Sequence, residues 1–222
     1  MMVSYLEIAI PVISGIFAGL TLINFISNNN EHNGKDSEIL LIRRAKNGDT
    51  RAFDRLVMNY QQRLYFVIIR IVLNHEDADD VVQDTFIKAY RNLDSFNENY
   101  RFYTWLYRIA INTALNLVKH RKHRESSLEK RQADNRCEPP NNSSLEDDYI
   151  YKEMREQVRT AISLLAPEMR TVFILRVYEE MSYKEIAETM DISIGTVMSR
   201  LNRARNTLKD YLQKVGLMQN SV

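Results

Sequence analysis

Residues 182–214 read SYKEIAETMDISIGTVMSRLNRARNTLKDYLQK, and this stretch sets the architecture of the chain. Ser182 and Glu185 have the spacing of a capping box, which opens a short helix through KEIAETM. Asp191-Ile192-Ser193 is a brief turn, and Ser193 can cap a second, longer helix. Val197, Leu201, Ala204, Leu208 and Leu212 recur at helical spacing and form its inner face. A helix, a short turn and a longer basic helix make a helix-turn-helix. The second helix offers Thr196, Met198, Ser199, Arg200, Asn202 and Arg203 near its N-terminus. Those positions face the major groove in such motifs, where Arg and Asn can read base edges. A net charge of +4 over residues 195–214 favours DNA over a plain αα-hairpin.

Working upstream, Pro167 suits the first turn of a helix through PEMRTVFILRVY. Met154, Val158, Ala161, Ile162 and Leu165 form the apolar face of the helix before it. Before that, residues 125–150 lack periodicity and carry Pro139-Pro140, the marks of a linker.

A first helical block covers residues 39–124. Gly48 suits a helix C-cap and Asp49 an N-cap. Phe53, Leu56, Val57, Tyr60, Leu64, Val67, Ile68 and Ile71 then repeat at spacings of three and four. A further helix begins at Asn74 or His75, with Ala78, Val81, Val82, Thr85, Phe86, Ala89 and Leu93 inward. Its opposite face shows Asp79, Asp80, Gln83, Asp84 and Lys88, which by itself reads as a solvated surface. The loop that follows carries Asn97, Tyr100, Phe102 and Tyr103, and its aromatics suit stacking on unpaired bases. The next helix places Trp105, Leu106, Ile109, Thr113 and Leu117 inward. Its polar stripe holds Arg101, Arg108, Asn112, Asn116 and Lys119, and it ends in six cationic or imidazole residues, Lys119 to Arg124. Capping a helix dipole needs fewer cations than that, so phosphate contact is the better reading.

Composition constrains the remaining possibilities. The chain has 222 residues, 45% of them hydrophobic, with 6 Gly and 4 Pro, too few turn formers for an all-β fold. The lone Cys137 cannot form an internal disulfide, and no Cys/His set has metal-site spacing. A net charge of +1 suggests no nucleic-acid partner until it is divided. Residues 1–38, 39–124, 125–150 and 151–222 carry −3, +6, −4 and +2. Two positive blocks separated by an acidic linker fit a protein that touches nucleic acid twice. There is no carboxylate pair, activated nucleophile or phosphate-cradling loop to suggest catalysis, and no cofactor is expected.

The N-terminus stands apart. Ile8 to Ile26 is 19 residues without a charge, long enough to span a bilayer, and a polar tether leads from it to residue 38. Arg43, Arg44 and Lys46 would place the body on the cytoplasmic side. The alternatives are an apolar helix docked on a protein partner and a mis-assigned translation start.

Four stretches together resemble bacterial RNA polymerase sigma factors of the extracytoplasmic-function (ECF) group. They are AKNGDTRAFDRLVMNY, DADDVVQDTFIKAYRNLDSF, TWLYRIAINTALNLVKHRK and LAPEMRTVFILRVYEEMSYKEIAETMDISIGTVMSRLNRAR, in the family's order. The resemblance implies an all-α protein of two small helical domains joined by a flexible linker; the apolar N-terminal helix expected before them has no counterpart in the usual family pattern. Residues 39–124 would be the sigma region 2-like domain and 151–216 the region 4-like helix-turn-helix domain, with 217–222 a tail. Asp80, Gln83 and Asp84 match the positions that dock on core RNA polymerase. Asn97, Tyr100, Arg101, Tyr103, Arg108, Asn112, Lys119, Arg121 and Lys122 fall in the segment that captures and melts the minus-ten element. Thr196, Met198, Ser199, Arg200, Asn202 and Arg203 fall in the reader of the minus-thirty-five element. Met198 departs from the family, which often has a basic residue there. The expected partners are core RNA polymerase, promoter DNA and an anti-sigma factor, a common companion in this family whose binding face the sequence does not mark. The expected place is the cytoplasm, with a membrane tether if residues 8–26 span. The rival reading is a membrane-tethered helix-turn-helix regulator that does not bind polymerase.

Overall fold

The computed structural model describes residues 31–127 and 148–216. The expectations for the apolar segment 8–26, for Cys137 and for the tail at 217–222 lie outside the described residues. Among the described residues no helix is long and apolar enough to cross a membrane.

The described chain is helical, with one 3-10 turn and no strand. Helix α1 spans Glu31–Lys46, α2 Thr50–Val72, α3 His75–Arg91 and α4 Phe102–Ser127, the 3-10 turn Leu93–Ser95 lying between the last two. Helices α5 to α8 span Asp148–Ser163, Pro167–Val177, Tyr183–Met190 and Ile194–Lys214. Two differences from the sequence reading concern boundaries. Residues 31–38, read as polar tether, are helical, and at their end Glu38 accepts a hydrogen bond from the Tyr60 hydroxyl on α2. Helix α4 continues through Ser127 into the segment read as linker.

Local chemistry explains where the helices start and stop. Gly48 sits at φ +88° after α1, a conformation that suits a residue without Cβ. The side chains of Asp49 and Asn74 accept hydrogen bonds from the Ala52 and Asp77 amides, satisfying donors at the starts of α2 and α3. Pro167 is the first residue of α6. The Ser182–Glu185 capping box forms in full, and the Ser193 side chain caps α8.

In the first domain α2 packs against α1, α3 and α4, and Leu56, Leu64, Ile68, Val81, Leu106, Ile111 and Ala114 form its centre. In the second, α5, α6 and α7 all pack on α8, and Ile162, Leu165, Phe173 and Ala204 form a cluster between α5, α6 and α8. The domains do not stand apart. Helix α6 buries Arg170, Thr171, Val172, Phe173, Ile174 and Leu175, residues on every side of the helix. One face meets α8 and the other meets α2, so Ile71 and Val72 share a continuous core with Val172, Leu175, Met181 and Ile186. A helix apolar all round must be covered on all sides, and here the first domain supplies the second cover.

Candidate nucleic-acid interface

Three surfaces carry the expected site residues. On α3, Ala78, Val81, Thr85, Phe86 and Ala89 are buried, which turns Asp79, Asp80, Gln83, Asp84 and Lys88 to solvent. Lys88 ties this face down, 3.8 Å from Asp84 and 3.0 Å from the Thr113 hydroxyl. Beside it runs an apolar groove of about 520 Å³ between α2 and α3, lined by Phe53, Val57, Val82, Phe86, Ile87 and Tyr90. Asp79 and Gln83 stand on its rim, and Met58 on α2 is 71% exposed.

The second surface is the loop before α4 with the stripe along α4. Helix α1 props the loop: Arg43 pairs with Glu98 at 2.9 Å, and the Lys46 ammonium donates to the Phe96 carbonyl at 2.6 Å. Within the loop the Asn97 side chain accepts from the Asn99 amide, and Tyr100 is 66% exposed. The aromatics divide in a way their clustering in sequence does not reveal. Phe102, read as a stacking residue, is only 2% exposed and packs with Phe96, Tyr60 and Trp105, so it belongs to the core. Tyr103 turns inward, its ring against Tyr107 and under the Arg63 guanidinium. Trp105 and Ile109 are half-buried, and the inward face of α4 is Phe102, Leu106, Tyr107, Ala110, Ile111 and Ala114. The face follows from the helical period, with the phase shifted by one residue from the sequence reading. Arg101, Arg108, Asn112, Asn116, Lys119 and Lys122 are exposed, while Arg121 pairs with Asp77 at the start of α3 at 3.0 Å.

The third surface is α8. Val197, Leu201 and Ala204 are buried, which leaves Met198, Ser199, Asn202 and Arg203 exposed and Thr196 and Arg200 half-buried. The turn before it depends on Asp191 at φ 55°, a left-handed position that Asp tolerates better than most side chains.

The tertiary structure pairs three acids of the second domain with arginines of the first, which the sequence does not foretell. Glu179, between α6 and α7, accepts from Arg63 Nε at 2.7 Å and from the Tyr107 hydroxyl at 2.9 Å. Its side chain is 6% exposed. Burial pushes its carboxyl above the ordinary value, against the opposing pull of Arg63. Burial likewise drives the Tyr107 phenol well upward, so it donates to this carboxylate as a neutral group. Glu185 pairs with Arg101 at 3.2 Å, and Asp191 with Arg108 at 3.1 Å. The capping hydrogen bonds from Ser182 hold the Glu185 carboxyl below its usual range. No local sequence signal marks these pairings, because each first-domain partner lies at least 72 positions away.

The Sigma-70 region 2 family model matches residues 56–124, and the Sigma-70 region 4 model matches residues 155–208. The chain is 39% identical over 183 residues to RNA polymerase sigma-H factor of Pseudomonas aeruginosa, covering 78% of this chain and 92% of that protein. It is 39% identical over 184 residues to ECF RNA polymerase sigma-E factor of Escherichia coli strain K12, covering 78% and 93%. This chain belongs to the ECF sigma factors. Solved structures similar to this sigma factor include CnrH in complex with the cytosolic domain of CnrY, at TM-score 0.59 and 27% identity over 81% of this chain and 99% of that one. Another is the sigma factor RpoE with the anti-sigma factor NepR from Bartonella quintana, at TM-score 0.59 and 26% identity over 72% and 96%. In this sigma factor the region 2 match holds α3, the loop and the stripe of α4, and the region 4 match holds the capped helix-turn-helix.

Proposed function

We infer that this sigma factor binds core RNA polymerase, directs it to specific promoters and helps to melt the DNA. The observation that carries this reading is the joint presence of regions 2 and 4, each with its polar face turned outward. A helix-turn-helix regulator that recruits no polymerase would leave the whole first domain without a task.

The residue assignments form part of the proposal. Asp80, Gln83 and Asp84 dock on core polymerase. Their exposure beside an apolar groove supports this, since a partner helix could fill the groove while its cations meet the acids. An anti-sigma factor would compete for the same kind of surface; NepR is one on the related RpoE. Asn97 and Tyr100 form the exposed part of the loop and receive an unstacked base of the minus-ten element. Arg101, Arg108, Asn112, Lys119, Arg121 and Lys122 hold the separating strand by phosphate contacts. Tyr103 reaches DNA only if it leaves its present packing. Thr196, Met198, Ser199, Arg200, Asn202 and Arg203 meet the minus-thirty-five duplex. Domain limits of 39–124 and 151–216 go with these roles, and α1 extends the first domain upstream. The chain contributes binding energy and no catalytic step, and it works where polymerase and DNA are, in the cytoplasm.

The test is run-off transcription with core polymerase and genomic promoter fragments. Promoter-specific transcripts that appear only with this protein support the reading; failure to bind core polymerase at all removes it.

A further inference from the structure

The residues assigned to the minus-thirty-five duplex differ in what each can still offer to a base. The Ser199 hydroxyl donates to the Thr196 carbonyl at 3.0 Å. The Thr196 hydroxyl lies 2.9 Å from the Ser193 hydroxyl, inside the cap of α8. Both hydroxyls are thus engaged with their own helix, and Arg200 is half-buried. Met198, Asn202 and Arg203 are exposed. Arg and Asn can hydrogen-bond a base edge, but Met198 has no donor and only a weakly accepting thioether. One exposed apolar side chain is ordinary on any surface. Met198 is set apart by its neighbour: Ile194, four residues earlier on the same side of α8, is 47% exposed against 54% for Met198. The first two turns of the helix therefore open on two apolar side chains in series, and Asn202 follows at the next interval of four.

We propose that Met198 determines promoter specificity by packing on the 5-methyl group of a thymine in the minus-thirty-five duplex, with Ile194 shielding the contact from water. The proposal rests on the reading of α8 as the helix that enters the major groove. In that groove the thymine methyl is the apolar feature of the base edges, whereas guanine, adenine and cytosine present acceptors and amino groups. A thioether set against those groups would displace their water and return no hydrogen bond, which costs binding. Against a methyl group the same side chain loses nothing, and its flexible, polarizable chain adapts to the shape of the contact. A basic residue at this position would favour guanine, through O6 and N7. The departure from the family at residue 198 is therefore a change in which base is read. Asn202, one turn further along, carries an amide suited to adenine and makes its contact independently of the methyl group.

The experiment uses holoenzyme assembled from core RNA polymerase and the full-length chain. Selection from promoter duplexes randomised over the minus-thirty-five region first defines the element that is read. Each thymine of that element, on either strand, is then replaced singly by deoxyuridine. This exchange removes the methyl group and leaves every hydrogen-bonding group of the base in place. At one thymine it should weaken holoenzyme binding about fourfold in competition assays, the worth of one buried methyl group. Met198→Ala should bind the thymine and uracil forms of that duplex alike. Asn202→Ala should bind both forms less well and keep the fourfold ratio between them. Equal binding of every uracil form by the native protein, or an element without an A·T pair, would overturn the proposal. So would a ratio that survives in Met198→Ala, or one that disappears in Asn202→Ala as well. A selection that returns no base preference anywhere in the minus-thirty-five region removes the reading of α8 itself, a result distinct from the failure of the methyl contact.

Discussion

Arg170 donates from Nη1 to the main-chain carbonyl of Ile71 at 2.8 Å, joining the start of α6 to the end of α2 across the domain boundary. Its Nη2 donates to the carbonyls of Ser163 and Leu165, at the end of α5 and in the turn after it. The residue is 6% exposed and none of these acceptors is a carboxylate. Burial, with a smaller contribution from Arg121, brings the guanidinium down to about 10, so it stays charged at neutral pH. It satisfies carbonyls that the helix ends cannot satisfy themselves.

Arg170→Ala therefore leaves three carbonyls short of a donor and opens a void at the seam. We expect a loss of about 3 kcal/mol in urea unfolding and an expanded native state by scattering. Arg170→Lys, with one nitrogen in place of a fork, should recover only part of the loss.

The docking face should be separable from the fold. Asp80 and Gln83 are exposed and make no tertiary contact that the fold needs. Exchanging both for Lys should abolish core polymerase binding in a pull-down while the thermal midpoint moves little. Unchanged core affinity would remove the docking assignment.

On α8, Arg203→Ala should weaken promoter-dependent transcription by about 10- to 100-fold, corresponding to the 1–3 kcal/mol of a base-edge contact. The loss should vanish on templates whose minus-thirty-five element is scrambled. An equal loss on both templates would indicate a phosphate contact instead.

Packing of the second domain on the first, the closed form of the chain, should depend on pH through Glu179. Its carboxyl titrates higher in the closed form than the ordinary 4.5, so the closed form holds the proton more tightly. The contribution to closure is full below the ordinary value and declines as pH rises through the closed-state value. The scattering dimension of the native chain should thus shrink as pH is lowered from neutral toward that value. Glu179→Gln should show a weaker dependence over the same window, and an identical dependence would assign the effect to other groups.

Ser182→Ala removes one half of the capping box. It should cost about 1 kcal/mol of stability and reduce minus-thirty-five recognition more than core binding, because α7 carries the turn that sets α8.

The helices, their caps and the exposed faces of α3 and α8 could be read from the chain because each depends on neighbours within a few positions. Asp49, Asn74, Ser182 and Ser193 act on amides three residues away, and the apolar periods of α2 and α3 state which side is inward. The order of four motifs sufficed for the family, since a motif is a local pattern repeated in register. Phe102 and Tyr103 were legible as aromatics but not as core residues. Which side of a loop-to-helix junction turns inward depends on the phase of α4, and that is set by packing against α2 and α3. The pairing of Glu179, Glu185 and Asp191 with Arg63, Arg101 and Arg108 lay beyond the sequence for a stronger reason. A segment count records +6 and +2 for the two blocks and averages the acids away, whereas a charge acts over a few ångströms on whatever the fold places opposite it. The sequence by itself determined an all-helical sigma factor with regions 2 and 4 in order. Only the tertiary structure decided that the second domain packs on the first and sets Glu185 and Asp191 against Arg101 and Arg108, because that depends on long-range contacts across an apolar seam that no local pattern encodes.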